Sequence, residues 1–283
     1  MNPSAPGLEE KATFDSAGGV KIAYRAWRAP GRARALVVIV PGFNSHSGYY
    51  GWVAEQLVEL GLSVYAVDLR GRGGSDGERF YVAHFADYLS DVGGLVHLAT
   101  LREPDLPVFM LGHSAGGVLA CLYALDHEAS LAGLVCESFA FQLPAPDVAL
   151  AVLKGLGHVF PHAHVLHLKN EDFSRDPAVV AAMNADPLIA HETQPTQTVA
   201  ELVRSDERLR SGFSQMRLPV LILHGTADKA ALASGSQLFY DQAGSPDKTL
   251  RLYDGHVHDL LNDVGKEQVM SDITAWIGAH IVP

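Results

Sequence analysis

The chain has 283 residues, 48% of them apolar, a size that α/β enzymes reach as one domain with a substantial core. Its formal net charge of −11, with no Lys/Arg run, sets nucleic acid aside as a partner. Its 2 cysteines cannot build a disulfide framework, and no apolar stretch approaches the roughly 18 residues of a membrane span.

The first 20 residues carry Glu9, Glu10 and Lys11 and no apolar core of a signal peptide, so a reduced, cytoplasmic protein is expected. Ala12–Asp15 and Val20–Trp27 then read as a hairpin across Ala17-Gly18-Gly19. Ala35–Val40 and Leu62–Val67 are continuous apolar runs, the mark of strands buried on both faces. Phe85, Tyr88, Leu89, Val92, Leu95, Val96 and Ala99 follow at helical spacing. Pro107–Leu111, Leu131–Val135, Pro219–Leu223 and Thr249–Tyr253 bring the strands to about eight. Strand and helix alternate throughout, which implies a mostly parallel eight-stranded sheet with helices on both faces.

One segment breaks that rhythm. Residues 141–212 show helical pattern without a convincing strand, between the sixth and seventh core strands. An insertion there covers the carboxyl edge of the sheet, where open α/β folds bind ligands. The organisation expected is a core of residues 1–140 and 213–283 with a helical lid at 141–212. The Val148–Leu156 stretch of the lid offers an apolar face for packing or for transient contact with a lipid surface.

The chemistry centres on Gly112-His113-Ser114-Ala115-Gly116, a G-x-S-x-G pentapeptide between an apolar strand and a helical pattern. In that context it is a nucleophile elbow, which presents a serine hydroxyl at the sheet edge. Serine needs a base, itself oriented by an acid, and in such folds the chain order is Ser, acid, His. Asp228 follows a late strand and His258 follows the last one, with Glu137 as rival acid and His256 as rival base. The oxyanion donors expected are the backbone N–H groups of Ala115 and of Phe43 in the Pro41–His46 loop. Asn44, His46, His113, Phe139 and Phe141 are the candidate substrate contacts.

Other signals are weaker. Asp68–Ser75 is Gly-rich and basic but carries no phosphate-binding pattern, so it reads as a tightly turned structural loop. His158, His162, His164 and His167 lack the thiolate or carboxylate support of a metal site. Cys121 and Cys136 read as small buried hydrophobes.

Several motifs together resemble the α/β-hydrolases of the monoacylglycerol lipase and lysophospholipase-like group. They are the loop Pro41–Tyr50, Asp68–Ser75 with Arg72 at the family's usual His, the elbow Gly112–Gly117, and Asp186-Pro187-Leu188 in the lid. H-G-x-x-D ending at Asp228 and G-x-x-H ending at His258 complete them. The resemblance spans about Val20 to Ile277. It implies an α/β-hydrolase fold and a serine ester hydrolase acting on a small-molecule ester with an apolar acyl group, with no metal or organic cofactor. The same triad would serve a thioesterase, a lactonase or an aryl or phthalate-type ester hydrolase. A non-catalytic binding scaffold is the reading furthest from an intact triad.

Overall fold

The computed structural model describes residues 9–281. Residues 1–8, on which part of the signal-peptide argument falls, lie outside the described residues.

The apolar run Leu36–Val40 (β3) is buried at all five positions, which only a strand covered on both faces can achieve. Around it lies an eight-stranded sheet. Its other members are Glu9–Asp15 (β1), Lys21–Trp27 (β2), Ser63–Val67 (β4), Val108–His113 (β5), Gly133–Glu137 (β6), Val220–Gly225 (β9) and Lys248–Tyr253 (β10). The spatial order is β1-β2-β4-β3-β5-β6-β9-β10. β1 and β2 form the antiparallel hairpin foreseen from sequence, with Ala12 opposite Tyr24, and β2 pairs antiparallel with β4. All remaining pairs are parallel.

The two-residue period of β3 divides the core. Leu36, Val38 and Val40 point to one face, toward Phe85–Arg102 (α2) and Ala115–His127 (α3). Val37 and Ile39 point to the other, toward Gly51–Glu59 (α1) and Lys266–His280 (α8). This is the α/β-hydrolase architecture, with carboxyl strand ends gathered along one edge.

The Asp68–Ser75 segment after β4 is a turned loop tied at several points. The Asp68 carboxylate accepts from the backbone N–H groups of Ser47 (2.7 Å) and Gly74 (2.8 Å), and Arg70 forks onto buried Asp91 of α2 at 2.7 Å twice.

Between β6 and β9 the chain makes its long excursion. It contains Asp147–Val159 (α4), His164–Leu166 (β7), Pro177–Ala185 (α5), Gln194–Pro195 (β8) and Thr196–Gly212 (α6). Asp176 caps α5 by accepting from Ala178 N–H at 2.8 Å, with Pro177 in the first turn. The pairing of β7 with β8 departs from the all-helical reading of this segment. Three and two residues are too few to print a two-residue period on the sequence. α4 lies along α6, and a Cβ at Gly157 would stand 2.9 Å from that of Ala200, so this glycine permits the close approach. The outward face of α4 leaves Val148, Val152 and Val159 exposed. Among the described residues no helix is long and apolar enough to cross a membrane.

Candidate active site

β5 ends at His113 and α3 begins at Ala115, so the turn between them is the single residue Ser114. Its backbone lies at φ 56, ψ −121, a conformation that costs a non-glycine residue about 1–3 kcal/mol and persists only where neighbours impose it. The neighbours are visible. Ser114 N–H donates to the Glu137 carbonyl at 2.9 Å, and the Ser114 carbonyl accepts from Gly117 N–H at 3.0 Å. A Cβ at Gly116 would collide with the carbonyl oxygens of Val40 and Pro41, and one at Gly42 would stand 2.8 Å from Ser114 Cβ.

The elbow directs Ser114 Oγ to within 2.8 Å of His258 Nε2. His258 Nδ1 lies 2.7 Å from Asp228 Oδ2, so the ring can donate to the carboxylate and accept from the hydroxyl. The other carboxylate oxygen of Asp228 accepts from the backbone N–H groups of Ala230 (2.8 Å) and Ala231 (3.0 Å). A second buried histidine, His224, places Nε2 3.0 Å from Asp228 Oδ2 while its Nδ1 meets Ser236 Oγ at 2.7 Å. Burial alone would raise the Asp228 carboxyl. The nearby charge of His258 and the hydrogen bonds from His224 and His258 instead hold it below the usual carboxylate range. Phe173, from the excursion, meets the His258 ring edge to face at 4.9 Å.

The rival groups go elsewhere. Glu137 is fully buried, and its Oε1 accepts from Leu260 N–H at 2.7 Å. His256 is turned toward Asp263, 3.7 Å away. His113 is sealed beneath the site, 5.0 Å from the His258 ring, so it cannot reach a substrate as expected. Burial, with His258 alongside, lowers its pKa to about 3 and keeps it neutral. Phe139 and Phe141 do not line the cavity either. They stack on each other at 5.5 Å and pack with Phe213 in the core, where their apolar area is fully removed from water. Both nitrogens of His46 are occupied, Nε2 by Asp186 at 2.8 Å and Nδ1 by Gly48 N–H at 3.0 Å. The Asn44 amide donates to the Leu168 carbonyl and Asn170 Oδ1, both at 3.1 Å, rather than toward a ligand. The four clustered histidines likewise have separate partners: His158 meets Arg204, His162 meets Glu78, His164 meets Thr193 and His167 meets the Glu192 carbonyl.

Ala115 N–H opens a helix and so has no intrahelical acceptor, and no protein acceptor engages it or Phe43 N–H among the described residues. Ser114, Ala115, Phe43 and His258 face a cavity of about 370 Å³. Its inner wall is apolar, with Leu150 and Leu153 of α4, Val199 and Leu202 of α6, and Phe173. Its rim carries Lys169, Asp172 and Lys229. Sequence reasoning missed His224, although the H-G-x-x-D motif contains it. It also missed Phe173, which no local pattern marks.

Fold and site together define an α/β-hydrolase with a Ser, His and Asp in hydrogen-bonded sequence. The chain belongs to the hydrolase family described as serine aminopeptidase, S33, whose model matches residues 31–265. It is 33% identical over 271 residues to the monoacylglycerol lipase of Mycolicibacterium smegmatis, covering 95% of this chain and 97% of that one. It is 32% identical over 269 residues to the monoglyceride lipase of Homo sapiens, covering 93% and 88%. A soluble variant of monoglyceride lipase from Saccharomyces cerevisiae, solved with a substrate analog, superposes with a TM-score of 0.86 at 21% identity, over 100% of this chain and 98% of that one.

Beneath the triad the ligand atoms of Glu137, Asp259 and His113 lie within 4.8 Å of one another. Burial and the adjacent Asp259 push the Glu137 carboxyl well above its ordinary value, and burial raises Asp259 to about 6. A raised folded-state pKa stabilises below the unfolded value and loses that contribution as pH rises through the folded one. We therefore expect stability to fall as pH climbs above about 4.3, the unfolded glutamate value. Glu137→Gln should flatten this fall and raise the melting temperature at pH 8 but not at pH 4. Parallel melting-temperature profiles for the two proteins would show that Glu137 carries no such penalty.

Proposed function

We propose that this protein is a serine carboxylic ester hydrolase of the monoacylglycerol lipase type. The observation that carries the reading is the Ser114–His258–Asp228 chain of hydrogen bonds opening onto an apolar cavity. Ser114 Oγ attacks the ester carbonyl while His258 Nε2 takes its proton. The tetrahedral oxyanion is held by the N–H groups of Ala115 and Phe43. Collapse expels the alcohol, which receives the proton from His258, and leaves an acyl-serine. Water then attacks with His258 again as base, releasing the acid and restoring Ser114. Asp228 fixes the ring tautomer and stabilises the imidazolium, with His224 holding the carboxylate from behind.

The leucines of α4 and the α6 wall suit an acyl chain, and the charged rim suits a small hydroxylated alcohol. The names of the relatives, monoacylglycerol lipase and monoglyceride lipase, support that substrate class. Residues 141–212 act as a lid, and the exposed valines of α4, with Phe160 beside them, form the face that meets a lipid surface transiently. A reducing cytoplasm is the compartment proposed, in keeping with the unpaired buried thiols of Cys121 and Cys136.

Ser114→Ala and His258→Ala should each lower kcat by roughly three or more orders of magnitude with little change in melting temperature, because triad members act as a unit. Asp228→Asn should follow them, while His256→Ala should keep most of the turnover. A dead His256→Ala beside an active His258→Ala would reassign the base.

Each buried methylene can contribute about 0.8 kcal/mol, so kcat/KM for p-nitrophenyl esters and monoacylglycerols should rise from acetyl to at least medium chain length. A profile that peaks at acetyl and collapses beyond butyryl would assign a short-ester or aryl-ester substrate instead.

Val152→Asp with Val159→Asp should reduce co-sedimentation with phosphatidylcholine vesicles severalfold and leave hydrolysis of a soluble short ester intact. Equal vesicle binding by variant and parent would remove the lipid-contact role of α4.

A further inference from the structure

Arg72 is 1% exposed, a guanidinium taken wholly out of water. Such a charge persists only with a partner and saturated hydrogen bonds. Its two closest polar partners come from the excursion over the sheet edge, while the core supplies longer contacts from Nε to Tyr88 Oη and from Nη2 to the Phe80 carbonyl, both at 3.4 Å. Nη1 forms an ion pair with Glu192 Oε1, and Nη2 donates to Gln194 Oε1 at 2.6 Å. Glu192 Oε1 also accepts from Gln194 Nε2 at 2.6 Å and from the backbone N–H of Asn44 at 3.0 Å. Arg72 Cζ lies over the Phe43 ring, 4.1 Å from its centroid.

Asn44 therefore connects the core to the excursion at three points. Its N–H goes to Glu192, and its side-chain amide goes to the Leu168 carbonyl and Asn170. Its own backbone is in the left-handed region at φ 51, which asparagine adopts more readily than most residues, and these contacts fix it there. The adjoining peptide carries the Phe43 N–H, and the Phe43 ring is held between Arg72 and the cavity.

We propose that Glu192, seated by Arg72, is a positioning residue for the oxyanion loop, so that the Phe43 donor is aligned only while residues 141–212 are docked on the core. The inference rests on the ester hydrolase reading and extends it. If the lid lifts to admit substrate, the acceptor for Asn44 N–H lifts with it, and the oxyanion site is completed on closure. Binding and activation are then coupled through one carboxylate.

Two charge-balanced double variants isolate that carboxylate's acceptor role. R72M/E192Q removes the buried ion pair and keeps a side-chain carbonyl for Asn44 N–H. R72M/E192L removes the ion pair and the acceptor. With both melting temperatures recorded, kcat of R72M/E192Q should exceed that of R72M/E192L by about tenfold or more, against the 100- to 1000-fold cost of losing an oxyanion donor outright. KM should differ by less than about threefold. The affinity for an alkyl boronic acid, which forms a tetrahedral adduct on Ser114, should drop in parallel with kcat. Affinity for a non-hydrolysable monoalkyl glycerol ether should stay constant. Equal kcat and equal boronate affinity in the two doubles would overturn the inference. Should R72M/E192L fail to fold, R72M/E192M decides. Its side chain matches glutamine in length and offers no carbonyl to Asn44 N–H, so its kcat should lie about tenfold below that of R72M/E192Q at similar KM; an equal kcat overturns the inference. An inactive parent protein would overturn the hydrolase reading itself, whereas an active parent with equal doubles would overturn this inference alone.

Discussion

At the carboxyl edge of the sheet, the end of β3 and the start of α3 come closer than side chains allow. Gly116 lies against the carbonyl oxygens of Val40 and Pro41, and Gly42 lies against Ser114. That closeness accompanies the φ 56 backbone of Ser114, and α3, like any helix, begins with an N–H that has no intrahelical acceptor. The strain is a local cost, and the surrounding parallel strands, buried on both faces, supply the packing that offsets it. A larger residue at Gly42 or Gly116 would push the Val40–Phe43 segment away from Ser114 and the start of α3, because the clash is with backbone and Cβ atoms that have no rotamer to change.

The second constraint is electrostatic. A dry edge strengthens every charge interaction, so each ionisable group there must be paired or neutral. Asp228 is paired four ways, with His258, His224 and two backbone N–H groups, which lets it remain an anion beneath an imidazole. Among the described residues no cation pairs with Glu137 or Asp259, and burial raises both. His113 sits between these groups and His258 and is held neutral, so it adds no positive charge to compete with His258 for Asp228. The carboxylate kept charged is the one in contact with the histidine.

This division explains what could be read in advance. Ser114, Asp228 and His258 each follow a strand within a short motif, and the three side chains meet because strand ends converge at the sheet edge. The eight strands were legible for the same reason, since runs such as Leu36–Val40 carry their burial in composition. Substrate contacts were not legible. Phe139 and Phe141 follow β6 and are apolar, which fits a pocket wall and a core equally well; only the packing of Phe213 and Phe239 decides for the core. His46 looked free until Asp186 was placed against it, 140 residues away. Arg72 looked like part of a basic turn, and its partner Glu192 lies 120 residues further on. Motifs report the near neighbours of a residue, and these assignments depend on distant ones.

The excursion between β6 and β9 is where those distant partners lie. One side of α4 supplies Leu150 and Leu153 to the cavity, while the other leaves Val148, Val152 and Val159 in water. An exposed apolar helix face of this kind is what protein and membrane contact sites present, and it is the basis of the lipid contact proposed for α4. The same excursion holds Phe173 against His258 and Glu192 against Asn44. Whatever moves α4 therefore acts on a segment that touches His258 and the Phe43–Asn44 loop as well as the cavity wall. In the mechanism proposed, substrate enclosure and catalytic geometry are linked by the continuity of one chain, with no separate relay required.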